Sequence, residues 1–123
     1  MTKKILIVED DKDSRFILSA QVRLLGYEPV EAASATEAIK KAVAENPGLI
    51  LMDLAMPGMT GIDAAKTLKE NPTTAQIPII ACTAWDGDRW RKPALDAGMV
   101  GYLVKPVMPA RLREAIEKFV RTQ

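Results

Sequence analysis

The run "LILMDLAMPGMTG", residues 49–61, is apolar from Leu49 to Met52 and delivers a carboxylate, Asp53, where the apolar run stops. Three more acids, Glu9, Asp10 and Asp11, follow "ILIV" near the N-terminus, Thr83 closes "IIACT", and Lys105 follows "GYLV". Each polar group ends a strand-like segment. If those segments lie side by side in one sheet, two or three carboxylates, a hydroxyl and an amine meet on a single rim. Carboxylates within ~4–6 Å of one another do not all stay ionised unaided: one takes a proton or a cation neutralises the group. Magnesium keeps several waters and uses one or two carboxylates together with a phosphoryl oxygen, so it suits an acid pair joined by Asp53 better than a calcium cage does. With that ion in place a carboxylate can attack phosphorus to give an aspartyl phosphate. The ion, a lysine and a threonine hydroxyl then balance the phosphoryl oxygens.

Composition excludes most other chemistry. The 123 residues contain no histidine, which removes Ser-His-Asp and Cys-His catalysis and His-ligated zinc. Cys82 is the one cysteine, so there is no intramolecular disulfide and no multi-cysteine metal site; its place in an apolar run reads as a small buried thiol. Seventeen Lys and Arg against sixteen Asp and Glu leave a net charge of +1, and no global field favours nucleic acid or an anionic membrane. Neither is expected as a partner. The N-terminal apolar run is too short for a signal peptide, and no apolar run approaches the ~18 residues of a membrane span, which leads to the expectation of a soluble cytoplasmic protein. Length, with 48% hydrophobic and 27% charged residues, fits one domain over residues 1–123. Met1 and a last helix reaching Thr122 suggest a complete chain.

The elements that must position these groups alternate. Strands are expected at residues 5–8, 28–32, 49–52, 79–83 and 101–104, all but the second as continuous apolar runs of the kind covered on both faces; the second, more mixed, reads as an edge. Helices are expected at about 13–25, 36–45, 61–70, somewhere within 86–97, and 109–122. Gly26 and Gly98 stop the first and fourth, Ser34 or Thr36 caps the second, and Pro109 opens the fifth without the polar cap usual before it. Asp11 or Asp13 favours the N-terminus of the first. Pro93 falls inside the fourth, which is therefore kinked or regular only from about Lys92. Strand–helix alternation with right-handed crossovers gives an α/β domain, a parallel sheet between two helical layers, with ligands bound beyond the carboxyl ends of its strands.

From "KILIVEDD" through "LILMDLAMPGMTG" and "IIACTAW" to "GYLVKP" and the last helix, the chain resembles the receiver domains of two-component response regulators, including the single-domain chemotaxis type. The resemblance implies a flavodoxin-like (βα)5 three-layer sandwich with a five-stranded parallel sheet in the order 2-1-3-4-5. It implies that Asp53 is the phosphoacceptor and that Glu9, Asp10 and Asp53 bind Mg2+ with the backbone carbonyl of Ala55. Thr83 would be the switch hydroxyl, Lys105 the phosphoryl contact, and Tyr102 an aromatic that changes rotamer on phosphorylation. The Lys105–Pro106 peptide would be cis. The implied donor is a histidine kinase or His-phosphotransfer protein, and the implied output face is formed by the fourth helix, fifth strand and fifth helix. Such a protein is a phosphoacceptor that dephosphorylates itself, not a turnover enzyme on external substrates.

Two alternatives share parts of this pattern, and a third shares only the fold. A receiver-like interaction module would work without phosphorylation. An aspartyl-nucleophile phosphatase would place a second acid where Ala55 stands, and a flavin protein of this fold would need a Ser/Thr/Gly-rich loop where "VEDDKDS" offers acids. Two positions depart from the usual receiver pattern. Ala55 has no side chain to hold or shield water, and Trp85 stands two residues beyond Thr83, where a bulky ring can restrict water at the phosphorylated residue. On that expectation Trp85→Ala speeds loss of the phosphoryl group; an unchanged dephosphorylation rate marks Trp85 as a surface or partner contact instead.

Overall fold

Leu49–Met52 is flanked by strands on both sides and buried along its whole length, as an uninterrupted apolar run requires. The computed structural model describes residues 3–121. Its elements run β1 (Lys4–Val8), α1 (Lys12–Leu24), β2 (Glu28–Ala32), α2 (Ala35–Glu45), β3 (Leu49–Met52), α3 (Gly61–Glu70), β4 (Ile79–Thr83), α4 (Asp88–Asp96), β5 (Gly101–Val104) and α5 (Pro109–Phe119). All strand pairs are parallel and the sheet order is β2-β1-β3-β4-β5, so the mixed strand β2 is an edge, as its composition implied.

The two-residue period of the strands sorts the core into two layers. Ile5, Ile7, Leu49, Leu51, Ile80, Cys82 and Leu103 face one way and pack with Leu18 and Val22 of α1 and Leu112 and Ile116 of α5. Leu6, Val8, Ile50, Met52, Ile79 and Ala81 face the other way against the alanine-rich α2, α3 and Ala94 of α4. Each large aliphatic side chain buried in this way contributes roughly 1.5–3 kcal/mol. Cys82 is a buried free thiol, and burial pushes its pKa up to about 12.

Local chemistry sets most helix ends. Asp11, Ser34 and Thr60 cap α1, α2 and α3 by accepting the N–H groups of Ser14, Glu37 and Asp63 at 2.8, 3.1 and 3.2 Å. Ser34 rather than Thr36 is therefore the cap of α2, and Asp11 rather than Asp13 that of α1. Gly26 and Gly98, with φ of 96° and 98°, turn the chain out of α1 and α4. Met108 precedes Pro109 without a side-chain cap bond, as expected. Two expectations need correction. Of the two alternatives for the fourth helix, a start near Lys92 is overturned: it runs from Asp88 through Pro93 to Asp96, because the carbonyl of Gly87 accepts the N–H groups of Trp90 and Arg91 and starts it early. The fifth ends at Phe119, where Val120 turns extended; Thr122 lies outside the described residues.

Gly61 matters for the end of β3. Its N–H donates to the Leu54 carbonyl at 3.1 Å, and a Cβ placed on it would lie 2.2 Å from the Asp53 carbonyl oxygen and 2.9 Å from Leu54 Cα. Backbone cannot yield as a flexible side chain does. Gly61→Ala therefore forces α3 away from the segment that carries Asp53, with an expected loss of about 1–3 kcal/mol in urea unfolding. Unaltered stability would show that the two backbones separate freely.

Candidate functional site

Register gathers the polar groups at one rim. Val8 lies opposite Met52, so Glu9 and Asp53 are the next residues along adjoining strands; Thr83 lies opposite Val104, which Lys105 follows. Backbone hydrogen bonds carry that alignment past the strand ends. Asp53 N–H donates to the Val8 carbonyl at 3.0 Å, Glu9 N–H to Ala32 at 3.1 Å, and Lys105 N–H to Thr83 at 2.8 Å. The Lys105–Pro106 peptide is cis.

One carboxylate oxygen from each of Glu9, Asp10 and Asp53 lies within 4.8 Å of the other two. Glu9 is 1% and Asp53 6% exposed, whereas Asp10 is open to solvent. Three hard anionic oxygens, two of them shielded from water, fit a hard divalent cation. Lys105 supplies positive charge at the same place. Its ammonium donates to Glu9 Oε1 and, at 3.3 Å, to Asp53 Oδ2. The remaining oxygens are also engaged: Asp11 N–H donates to Glu9 Oε2 at 3.0 Å, and Ala55 N–H to Asp53 Oδ1 at 3.1 Å.

These contacts shape the electrostatics. Burial lifts the Glu9 carboxyl above the usual carboxylate range, while the hydrogen bonds from Lys105 and the Asp11 amide pull it back. Burial alone would lower the Lys105 ammonium, but the hydrogen bond to Glu9 and the charges of Asp53 and Glu9 outweigh it and hold the group above its ordinary value. Each member thus opposes the effect of burial on the other, in part for Glu9 and in full for Lys105.

Thr83 is fully buried, and its hydroxyl oxygen accepts the Trp85 N–H at 3.3 Å. Trp85 connects in two further directions. Its carbonyl accepts the Tyr102 hydroxyl at 2.6 Å, and its ring stacks on Trp90 of α4 with centroids 4.1 Å apart. The Arg91 guanidinium lies 4.7 Å from the Tyr102 ring centroid. Burial raises the Tyr102 phenol above its usual pKa, with Arg91 opposing. Of the residues singled out from sequence, Glu9, Asp10, Asp53 and Lys105 thus form one cluster, which Ala55 joins through its backbone N–H. Thr83 and Tyr102 meet through Trp85.

Sequence reasoning passed over Arg15, Ser19 and Glu31. Arg15 Nη1 donates to the Glu9 carbonyl at 2.8 Å, its Nε donates to Glu31 Oε1 at 3.2 Å, and Ser19 Oγ donates to Glu31 Oε2 at 2.8 Å. Arg15 and Glu31 are 16 residues apart on different elements, so no helical or strand period links them.

A family model described as the response regulator receiver domain matches residues 5–117. Among curated proteins, the chain is 33% identical over 124 residues to the polar-differentiation response regulator DivK of Brucella abortus, covering 98% of each. It is 34% identical to the phosphate regulon regulator PhoB of Pseudomonas aeruginosa and 33% identical to the response regulator PleD of Caulobacter vibrioides, and spans only 52% and 27% of those proteins. The chemotaxis protein CheY4 of Vibrio cholerae superposes with a TM-score of 0.92 at 28% identity, covering 98% of this chain and 100% of that one. The receiver domain of the Pseudomonas aeruginosa sensor histidine kinase PA1611, solved with magnesium coordinated in its active-site cleft, superposes at 0.90 with 31% identity, covering 97% of this chain and 98% of that one.

Because Lys105 pairs with two buried carboxylates, Lys105→Met leaves both without their cation. The expected cost is about 1–3 kcal/mol in metal-free urea unfolding. The deficit should narrow when a divalent cation is added. Equal stability of the two metal-free proteins would show that Lys105 does not offset the charge of these carboxylates.

Proposed function

The chain belongs to the response regulator receiver family, and from that membership we propose that Asp53 accepts a phosphoryl group in a magnesium-dependent reaction and passes the signal on by protein contact. The observation that carries this reading is the convergence of Glu9, Asp10 and Asp53 within 4.8 Å, with Lys105 3.3 Å from Asp53. Glu9, Asp10 and Asp53, with the Ala55 carbonyl, would hold the ion. Bound there, magnesium supplies positive charge against the phosphoryl oxygens.

The residues of the chain do the rest. An Asp53 carboxylate oxygen forms the bond to phosphorus as the phosphorus–nitrogen bond of a phosphohistidine donor breaks, and the leaving imidazole keeps the electron pair. That phosphohistidine belongs to a histidine kinase or phosphotransfer protein, since these 123 residues contain no histidine. Lys105, already beside Asp53, stays as a counter-charge to the new group. The Thr83 hydroxyl, now accepting from Trp85, turns to donate to a phosphoryl oxygen.

The added charge of about −1.5 to −2 biases a pre-existing two-state equilibrium. Tyr102 and Trp85 transmit that bias to the face of α4, β5 and α5, where the downstream partner docks. Residues 1–123 act in this reading as one receiver domain that consumes its phosphoryl group by self-hydrolysis and turns over no external substrate. A cytoplasmic setting follows from the kinase partner; among the described residues no helix is long and apolar enough to cross a membrane.

Mass spectrometry after incubation with a small phosphoryl donor should show a gain of one phosphoryl group. The gain should vanish in Asp53→Asn and when the divalent cation is chelated. Phosphate gain that survives either change refutes the proposed site, and no gain with any donor favours a phosphorylation-independent interaction module.

A further inference from the structure

The acid pair lies where β1 runs out of sheet. Glu9 N–H still pairs with Ala32, the last residue of β2, but the Glu9 carbonyl lies past the end of that ladder. Arg15, one turn into α1, reaches back and fills the gap. Its Nη1 donates to the Glu9 carbonyl at 2.8 Å and lies 3.5 Å from the Asp10 carbonyl, so one guanidinium nitrogen addresses the peptides of both metal-site acids.

The guanidinium is itself held. Its Nε meets Glu31 Oε1 at 3.2 Å, and the other Glu31 oxygen accepts Ser19 Oγ at 2.8 Å, Ser19 being buried. Glu31 is fixed in turn by the β1–β2 ladder, where it lies opposite Ile7, and its carbonyl accepts the Lys41 ammonium. A chain of contacts therefore runs from the edge strand through Glu31 and Arg15 to the loop that presents Glu9 and Asp10. It touches the backbone of that loop and not the Glu9 and Asp10 carboxylates.

The geometry points to Arg15 as a positioning residue for cation binding, with Glu31 as its anchor: together they fix the Glu9–Asp10 backbone so that the two carboxylates are preset for the ion. This rests on the magnesium site proposed above. Charge and position make opposite demands here, which makes the inference decidable. A guanidinium close to a cation site repels the cation, so if Arg15 acts by charge alone, Arg15→Ala tightens Mg2+ binding. If it acts by holding the loop, Arg15→Ala weakens it. Loss of an outer partner of metal ligands typically costs 10–100-fold in affinity.

The test is Mg2+ titration of the full chain, followed by amide NMR shifts under conditions where urea unfolding shows every variant folded. Arg15→Ala should weaken Mg2+ binding about tenfold. Arg15→Lys, which keeps one donor for the Glu9 carbonyl but loses the fork to Glu31, should fall between it and wild type. Glu31→Gln preserves the hydrogen bonds and should stay within about twofold of wild type, while Glu31→Ala should weaken binding and add little to Arg15→Ala in the double variant.

A residue that only stabilises the fold shifts the urea midpoint and leaves the Mg2+ affinity of the folded protein unmoved, so unchanged or tighter binding by Arg15→Ala overturns the inference. Should that variant fail to fold, unchanged binding by both Arg15→Lys and Glu31→Ala overturns it equally. A wild-type chain that does not titrate with Mg2+ overturns the site and this inference together, an outcome distinct from the others because there wild type still binds.

Discussion

Crowded negative charge at the carboxyl ends of parallel strands is the constraint on which the site depends. A parallel sheet aligns the ends of β1 and β3, and residues one step beyond matched partners fall side by side. Here those residues are Glu9 and Asp53, both shielded from water, with Asp10 alongside. Such an arrangement is stable only if positive charge is delivered to it. In the metal-free protein Lys105 delivers it from the end of β5, two strands away from β3. On the proposed reading, a cation or a phosphoryl group arriving at Asp53 must renegotiate the contacts of Lys105, and the event reaches β5 through the same side chain that offsets part of the resting site's negative charge.

The apolar runs made the sheet legible. Apart from Lys4, four of the five strands carry no charged residue, so their carboxyl ends coincide with where the apolar runs stop. What escaped the pattern are residues whose role depends on distant partners. Lys4 extends β1 one residue earlier than its apolar run, because it lies opposite Glu28 and its ammonium pairs with Glu45 at 2.8 Å. Phe119 ends α5 early, because the following residues leave helical geometry to join the loop before β3, where Arg121 N–H donates to Gly48 and its guanidinium to Asn46 and Pro47. Helical periodicity carries no trace of either.

The same distinction holds at the site. Carboxylates, hydroxyl and lysine announced themselves by ending apolar runs. Arg15 and Glu31 did not, since an arginine on an amphipathic helix and a glutamate on an edge strand look like ordinary solvated charges. Only the right-handed crossover that lays α1 across β1 and β2 brings them within reach of the Glu9 carbonyl. Residues proposed to perform chemistry were legible from type and position; residues proposed to orient them became visible only with topology.

α4 stands apart from the other helices in how little it owes to local chemistry. Its N-cap, Gly87, offers no side chain, Pro93 removes a hydrogen bond worth part of the ~3 kcal/mol such a residue costs in a regular interior, and its one fully buried residue is Ala94. What holds it is tertiary: Trp90 stacked on Trp85, and Arg91 over Tyr102. Those two partners are joined by the Tyr102 hydroxyl bond to the Trp85 carbonyl, and Trp85 is in turn bonded to Thr83. A helix with weak intrinsic support lies at the low end of local stability, where a change of a few kcal/mol shifts populations. On the proposed reading, the Trp85 N–H loses its acceptor when Thr83 turns toward a phosphoryl group. The contacts so loosened are those on which α4 relies, and a small rearrangement at Asp53 therefore reaches the output face through the helix least able to resist it.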